Sequence, residues 1–213
     1  AASAMPKSQQ FAVGLWKLSL ASYKSSLLAN PRDQRTIRNV AEVYHALGMQ
    51  ELAGAFAHLA IETNPDDPVS LYKYATFIWA TTKNPEVAKR YFEAAIRATP
   101  TTPGAILAYS EFCLKAGKIA QANSLVQRCV EEFPNSWDGL HKMAYLQHMV
   151  LKDYDKAHEY YKKAIDIESK DLVLLAHYVS FLKDIVKDES LAASYELFMR
   201  KLEQKTTIAG RGS

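Results

Sequence analysis

The side chains best suited to chemistry are six histidines, two cysteines and a few adjacent carboxylates. Histidines serve as metal ligands when several converge on one coordination sphere. His141 and His148 are seven residues apart, which puts them on one helix face but two turns from each other. That separation is too long for a shared zinc ion without ligands from elsewhere. Cys113 and Cys129 could form a redox pair, but they fall at core-type positions and read more simply as two small buried apolar side chains. Glu131 and Glu132, near the end of a helical stretch, read as solvated surface. The sequence contains no glycine-rich phosphate loop, no Gly-x-Ser-x-Gly and no His-Glu-x-x-His. It therefore predicts no catalytic residue, no metal site and no cofactor.

Charge narrows the partners. Lys and Arg number 26 against 23 Asp and Glu, a formal net charge of +3, and the two signs are interspersed. That is too mild for an electrostatic footprint on nucleic acid, and basic clusters such as Lys162–Lys163 read as a solvated helix face. No apolar run reaches the ~18 residues needed to cross a bilayer. Phe11 to Leu20 is apolar but broken by Lys17 and Ser19, with no small-residue cleavage site behind it, so no signal peptide is predicted. Two cysteines and no Asn-x-Ser/Thr site favour a reducing compartment, the cytoplasm or the nucleus.

The elements that position these residues are written as a repeat. Prolines fall at Pro31, Pro65, Pro100 and Pro134, and Ser169 takes the next slot, giving steps of 34, 35, 34 and 35 residues. Ten residues after each mark stands a small or β-branched residue: Ala41, Ala75, Ser110, Ala144, Val179. Twelve residues before a mark stand Ala53, Ala88, Ala122 and Ala157; five before stand Ala60, Ala95, Cys129 and Ala164. Six after lie the aliphatics Ile37, Leu71, Ile106, Leu140 and Leu175. Small residues in this register let two antiparallel helices approach closely, and proline ends each pair because it cannot continue a helix. Each unit is then a first helix, a short turn, a second helix and a proline turn. Gly48 and Gly117 fall in two of the short turns; caps are expected at Asp66 and Asp67, Ser136 and Asp171. The extra residue of the 35-residue units is expected in the short turn, at Asn84–Pro85 and near Asp153.

This pattern resembles the tetratricopeptide repeat (TPR) family over about residues 34–204, carried by Ala41, Tyr44, Gly48, Ala53, Ala60 and Pro65 in one unit and by Ala75, Ala88, Phe92, Ala95 and Pro100 in the next. Ile or Leu replaces the family's Trp at the start of the first helix. Tyr-x-x-Phe at Tyr74/Phe77, Tyr109/Phe112 and Tyr178/Phe181 is similar to the half-a-TPR variant of RNA-processing scaffolds, although Ile78, Cys113 and Leu182 follow where that variant has Glu. The resemblance implies an all-α, right-handed superhelical solenoid of about five repeats plus an N-terminal helix. The repeat domain is expected over residues 10–204, with residues 1–9 and 205–213 as tail or linker.

The resemblance further implies a concave groove lined by the first helices of the pairs, with Arg35, Arg38, His45, Tyr72, Trp79, Leu107, Glu111, Tyr145, His148 and Met149 facing it. Arg38 and Asn39 echo the family's clamp for a chaperone tail, but Tyr72 and Leu107 stand where further polar clamps belong. The expected occupant is a protein partner offering a peptide or helix with apolar anchors. The alternative is an assembly module of a larger complex. The stretch from about Gln10 to Asn30 aligns with a second helix that lacks its first, and it carries Phe11, Leu15, Trp16 and Leu18. A solenoid end without a polar cap predicts self-association through that helix.

Overall fold

Short polar side chains start most first helices of the pairs, and left-handed residues help reverse the chain inside pairs. In the computed structural model, which describes residues 7–82, 84–98 and 101–209, the elements are α1 (Lys7–Ala29), α2 (Gln34–Ala46), α3 (Gln50–Thr63), α4 (Pro68–Thr82), α5 (Pro85–Arg97), α6 (Pro103–Lys115), α7 (Ile119–Glu132), α8 (Trp137–Tyr145), α9 (Tyr154–Ile167), α10 (Leu172–Phe181) and α11 (Glu189–Ala209). The described residues contain no strand. Helix runs past the expected limits of residues 10 and 204 at both ends. The marker Pro100 and the tails 1–6 and 210–213 lie outside the described residues.

The caps follow the sequence closely. The carboxylates of Asp33, Asp67, Asp153, Asp171 and Asp188 each accept from a backbone amide three residues on, as do the Asn84 and Ser136 side chains. Asp66 caps nothing; its own amide donates to Asn64 instead. At four of the turns inside pairs a left-handed residue stands directly before the cap of the second helix. Gly48 (φ 75°) and Gly117 (φ 72°) fill this place in the shorter turns, Lys152 (φ 61°) and Lys187 (φ 62°) in the longer ones.

The longer turns correct one expectation. The extra residue near Asp153 is absorbed upstream of the turn, where α8 widens into a π-helical segment, Leu146–Leu151, before reaching Lys152. The last unit repeats the device at Leu182–Val186 before Lys187. A wider turn adds one residue without breaking the helix, and it rotates the side chains that follow.

The chain divides into two compact units, residues 1–109 and 110–213, with the division inside α6. In the first unit α2 packs on α3 and α4 on α5, while α1 lies against α2. One core joins Val40, Tyr44 and Ala53 to Leu20, Tyr23 and Leu27 of α1; another gathers Leu71, Ala95 and Ala105. In the second unit α8 packs on α9 and α10 on α11 around Tyr161, Tyr178, Phe181 and Leu182. Every small-residue and aliphatic slot of the repeat is buried, with Ala75, Ala88, Ala95, Ala122, Ala144, Ala157 and Ala164 at 0% exposure.

Those alanines set how close the paired helices come. Ala88→Leu and Ala157→Leu are each expected to destabilise by about 1–3 kcal/mol, because a larger side chain forces the pair apart. Ala55→Leu, on the exposed side of α3, is expected to change stability by less than about 0.5 kcal/mol. Urea unfolding of the three variants checks the register, and equal midpoints for all three would contradict it.

Candidate functional site

In the first unit α2 and α4 stand over α3 and border a half-open cavity of about 240 Å³. The alanines that allow close packing also shape it: Ala53, Ala57 and Ala60 of α3 line it together with Ala41 and Ala80. Phe77 and Tyr74 supply aromatic wall. Phe77 lies against the backbone of Gly54, where a Cβ would meet the ring at 3.1 Å, and edge-on to His45 at 5.9 Å between centroids.

Polar groups line the cavity as paired ions. Arg38 donates to the Asp67 carboxylate at 2.8 Å, and both side chains are mostly buried, at 16% and 17% exposure. Lys73 of α4 pairs with Glu42 of α2. Burial, and secondarily the nearby Arg38 guanidinium, hold the Lys73 amine below its ordinary range. Gln34 adds a brace, donating to the Ala60 carbonyl at 3.3 Å and to Ser70 Oγ at 3.1 Å. Since each cation already has its anion, an occupant meets a mostly apolar hollow with internally neutralised charge.

Of the predicted groove residues, Arg38, His45 and Tyr72 line this cavity. Tyr72 is half-buried with its ring against Gly104, where a Cβ would meet the hydroxyl at 3.1 Å. Arg35 is exposed one turn earlier on α2, and Trp79 is half-buried further along α4; neither lines the cavity. Leu107 is buried rather than presented, at 9% exposure. Ala53 and Ala60 were missed as site residues because helix packing accounted for their spacing, Phe77 because it was read as part of a Tyr-x-x-Phe motif, and Ala57 carries no signal of its own in the sequence.

In the second unit Glu111 is shared by Lys115 at 3.2 Å and Lys142 at 3.5 Å. Burial pushes its carboxyl up, but the two lysines outweigh that and hold it below the usual carboxylate range. Tyr145 is half-buried against the His177 ring, 5.2 Å between centroids, and Met149 is exposed. His148 is a correction. It is 6% exposed, 3.3 Å from the Tyr161 hydroxyl and edge-on to Phe181 at 5.0 Å. The π-helical segment carries it off the register that the 34-residue pattern assumed and into the core. His141 and His177 also meet, Nε2 to Nδ1 at 2.8 Å. Sequence reasoning paired His141 with His148 along one helix and overlooked a partner one repeat away. Cys113 and Cys129 are buried, and burial pushes the Cys129 thiol up to about 12, with Asp138 and Glu132 adding to it, which disfavours the thiolate needed for redox work. The described residues hold no group of three or more candidate metal ligands.

The end helix is two-faced. Leu20, Tyr23 and Leu27 of α1 pack inward, while Leu15, Trp16 and Leu18 are 50%, 41% and 70% exposed. The side chain of Phe11 lies outside the described ones. Among the described residues no helix is long and apolar enough to cross a membrane.

Repeated helix pairs with small residues at their contacts define the tetratricopeptide class of repeat proteins. The family described as tetratricopeptide repeat matches residues 141–171. A TPR repeat-containing protein of Dictyostelium discoideum is 28% identical over 205 residues, covering 91% of this chain and 78% of that one. A thermophilic TPR protein of Thermus thermophilus superposes with a TM-score of 0.68 at 20% identity, over 82% of this chain and 94% of that one. PilW, a widely conserved type IV pilus biogenesis factor, does so with a TM-score of 0.66 at 19% identity, over 92% and 94%. The chain thus carries a match to the tetratricopeptide repeat over residues 141–171 and shares the helix-pair fold of TPR proteins over most of its length. Proteins of this fold are generally non-catalytic scaffolds for protein–protein contact.

The two predicted basic residues thus occupy different settings. Arg38→Met is expected to destabilise the first unit by about 1–3 kcal/mol, because it strands the Asp67 carboxylate that also caps α4. Arg35→Met is expected to cost less than about 0.5 kcal/mol. Urea unfolding midpoints of the two variants check this.

Proposed function

We propose that this chain is a non-catalytic scaffold that holds a protein partner on the first helices of its pairs, and that an apolar side chain of a bound peptide or helix seats in the cavity between α2 and α4. One observation carries the reading: a hollow of about 240 Å³ floored by alanines and walled by aromatic rings, with every charge at its edge already paired. Such a site recognises shape and apolarity; peptide-binding surfaces commonly take apolar anchors in this way. Trp79 and Tyr72 of α4 extend the reading along that helix, and Tyr145 and Met149 are proposed as a separate contact area of the second unit. Two cysteines and no Asn-x-Ser/Thr site fit a reducing compartment such as the cytoplasm.

A Trp at position 76 or 80, both exposed at the cavity on α4, fills the hollow from its rim without entering the core. Peptides selected from a displayed library on the wild-type protein are expected to bind Thr76→Trp and Ala80→Trp at least about tenfold more weakly, a loss of about 1.4 kcal/mol. Helicity and melting are expected to stay unchanged. Undiminished binding moves the contact elsewhere on the chain.

A second reading rests on Leu15, Trp16 and Leu18, which project from the far face of α1. Exposed apolar patches of this kind mark contact surfaces, and the reading is self-association or docking into a larger assembly through α1. Light scattering at about 50 μM is expected to report a mass above that of one chain, reduced to one chain by Trp16→Glu. A monomeric wild type removes this reading.

A further inference from the structure

Four of the six histidines lie in the second unit, and they touch one another's neighbours. His148 and His158 pack into the aromatic core against Phe181, at 5.0 and 5.9 Å. His141 of α8 and His177 of α10 meet directly, Nε2 to Nδ1 at 2.8 Å, with ring centroids 5.0 Å apart. At that distance one nitrogen must donate and the other accept, so the contact holds only while at least one ring is neutral. A second full protonation puts N–H against N–H and two positive charges side by side.

We propose that the His141–His177 contact is a latch between α8 and α10 that acid opens, changing the face that carries Tyr145 and Trp137. The inference is independent of where a partner binds. Tyr145 packs on His177 and Trp137 stacks on His141, so both aromatic rings are positioned by the pair. The charged and titratable surroundings favour the neutral pair. Lys142, on α8, disfavours a proton on either histidine, and its own partner Glu111 of α6 is 3.5 Å away. Asp138 on α8 and Asp171 at the start of α10 act the other way. Asp138 is engaged by the Ser136 hydroxyl, and Asp171 accepts from the Leu174 amide at 2.7 Å. From α9 the Tyr161 ring lies 6.3 Å from the His141 ring, centroid to centroid; its hydroxyl meets His148 at 3.3 Å, and burial pushes its pKa upward. Next to the pair, His148 is itself held below its ordinary range, chiefly by burial.

Burial first, then His177, hold His141 down at about 4; burial and Lys142 hold His177 below its ordinary value. Both folded values lie below the unfolded one of 6.5. The contact therefore contributes fully above that value and loses its contribution as pH falls from about 6.5 towards about 4. Leu140, Ala144, Leu174, Leu175 and Tyr178 continue to join α8, α9 and α10, so opening is local and the unit stays folded.

Trp137 reports on the latch, because a protonated imidazole stacked on indole quenches its emission. In the full chain carrying Trp16→Phe and Trp79→Phe, Trp137 emission is expected to fall on acidification with a midpoint at least about one pH unit below that of an ordinary histidine. His177→Gln removes the second ring and leaves an acceptor for a protonated His141, so the midpoint is expected to rise by about a unit or more. His158→Gln, away from the pair, is expected to leave it in place. Carbon-bound imidazole proton resonances of the wild-type protein give the same answer without any variant: the His141 and His177 resonances are expected to report two coupled steps, the second of them, which opens the contact, below the ordinary range. A midpoint near 6.5 in the wild type, or one that His177→Gln does not move, overturns the proposal.

Discussion

Everything in this molecule depends on how closely two antiparallel helices can approach. Ala88, Ala95, Ala157 and Ala164 are wholly buried on the second helices of their pairs, and Ala75 and Ala144 meet them from the first helices. With only a methyl group at these contacts, backbones lie near the short end of the ~8–10 Å range of helix packing. The larger side chains are thereby displaced to the space between pairs, where Phe92, Tyr161 and Tyr178 fill it. The same economy creates the cavity: where three alanines of α3 face the gap between α2 and α4, no side chain is long enough to close it.

That constraint was legible in the sequence because it recurs. A single buried alanine says little, but alanine at one phase of a 34- or 35-residue period in four successive units has a steric cause. The caps were equally readable, since Asp67, Ser136 and Asp171 each precede a helix by the one position from which their oxygen reaches a free amide. The site was harder to read. The groove positions implied by the family resemblance include Arg38, His45 and Tyr72, which line the cavity, and also His148, which is buried because a π-helical segment shifts the phase after Leu146 and leaves no mark in residue type. The His141–His177 pair escaped for a different reason: its members lie in separate units of the pattern, and only packing brings their rings together.

The two compact units use polar groups differently. In the first, charges are paired across helices, Arg38 with Asp67 and Lys73 with Glu42, and they brace α2 against α4 beside an apolar hollow. In the second, histidines and tyrosines occupy the equivalent depth, so its packing depends on neutral imidazoles. A surface set by paired ions is sensitive to salt only where it is exposed, whereas one set by neutral histidines is sensitive to acid. The same alanine framework thus supports two faces with different chemical responses.

The central claim is that the hollow between α2 and α4 seats the apolar anchor of a bound segment. Amide and methyl chemical-shift mapping on the labelled protein, titrated with a library-selected peptide, tests it most directly. The largest shifts are expected at Ala41, Ala57, Phe77 and Ala80, with those of the α1 face near zero. Shifts confined to Leu15, Trp16 and Leu18, or to the outer surface of α3 and α5, would contradict it.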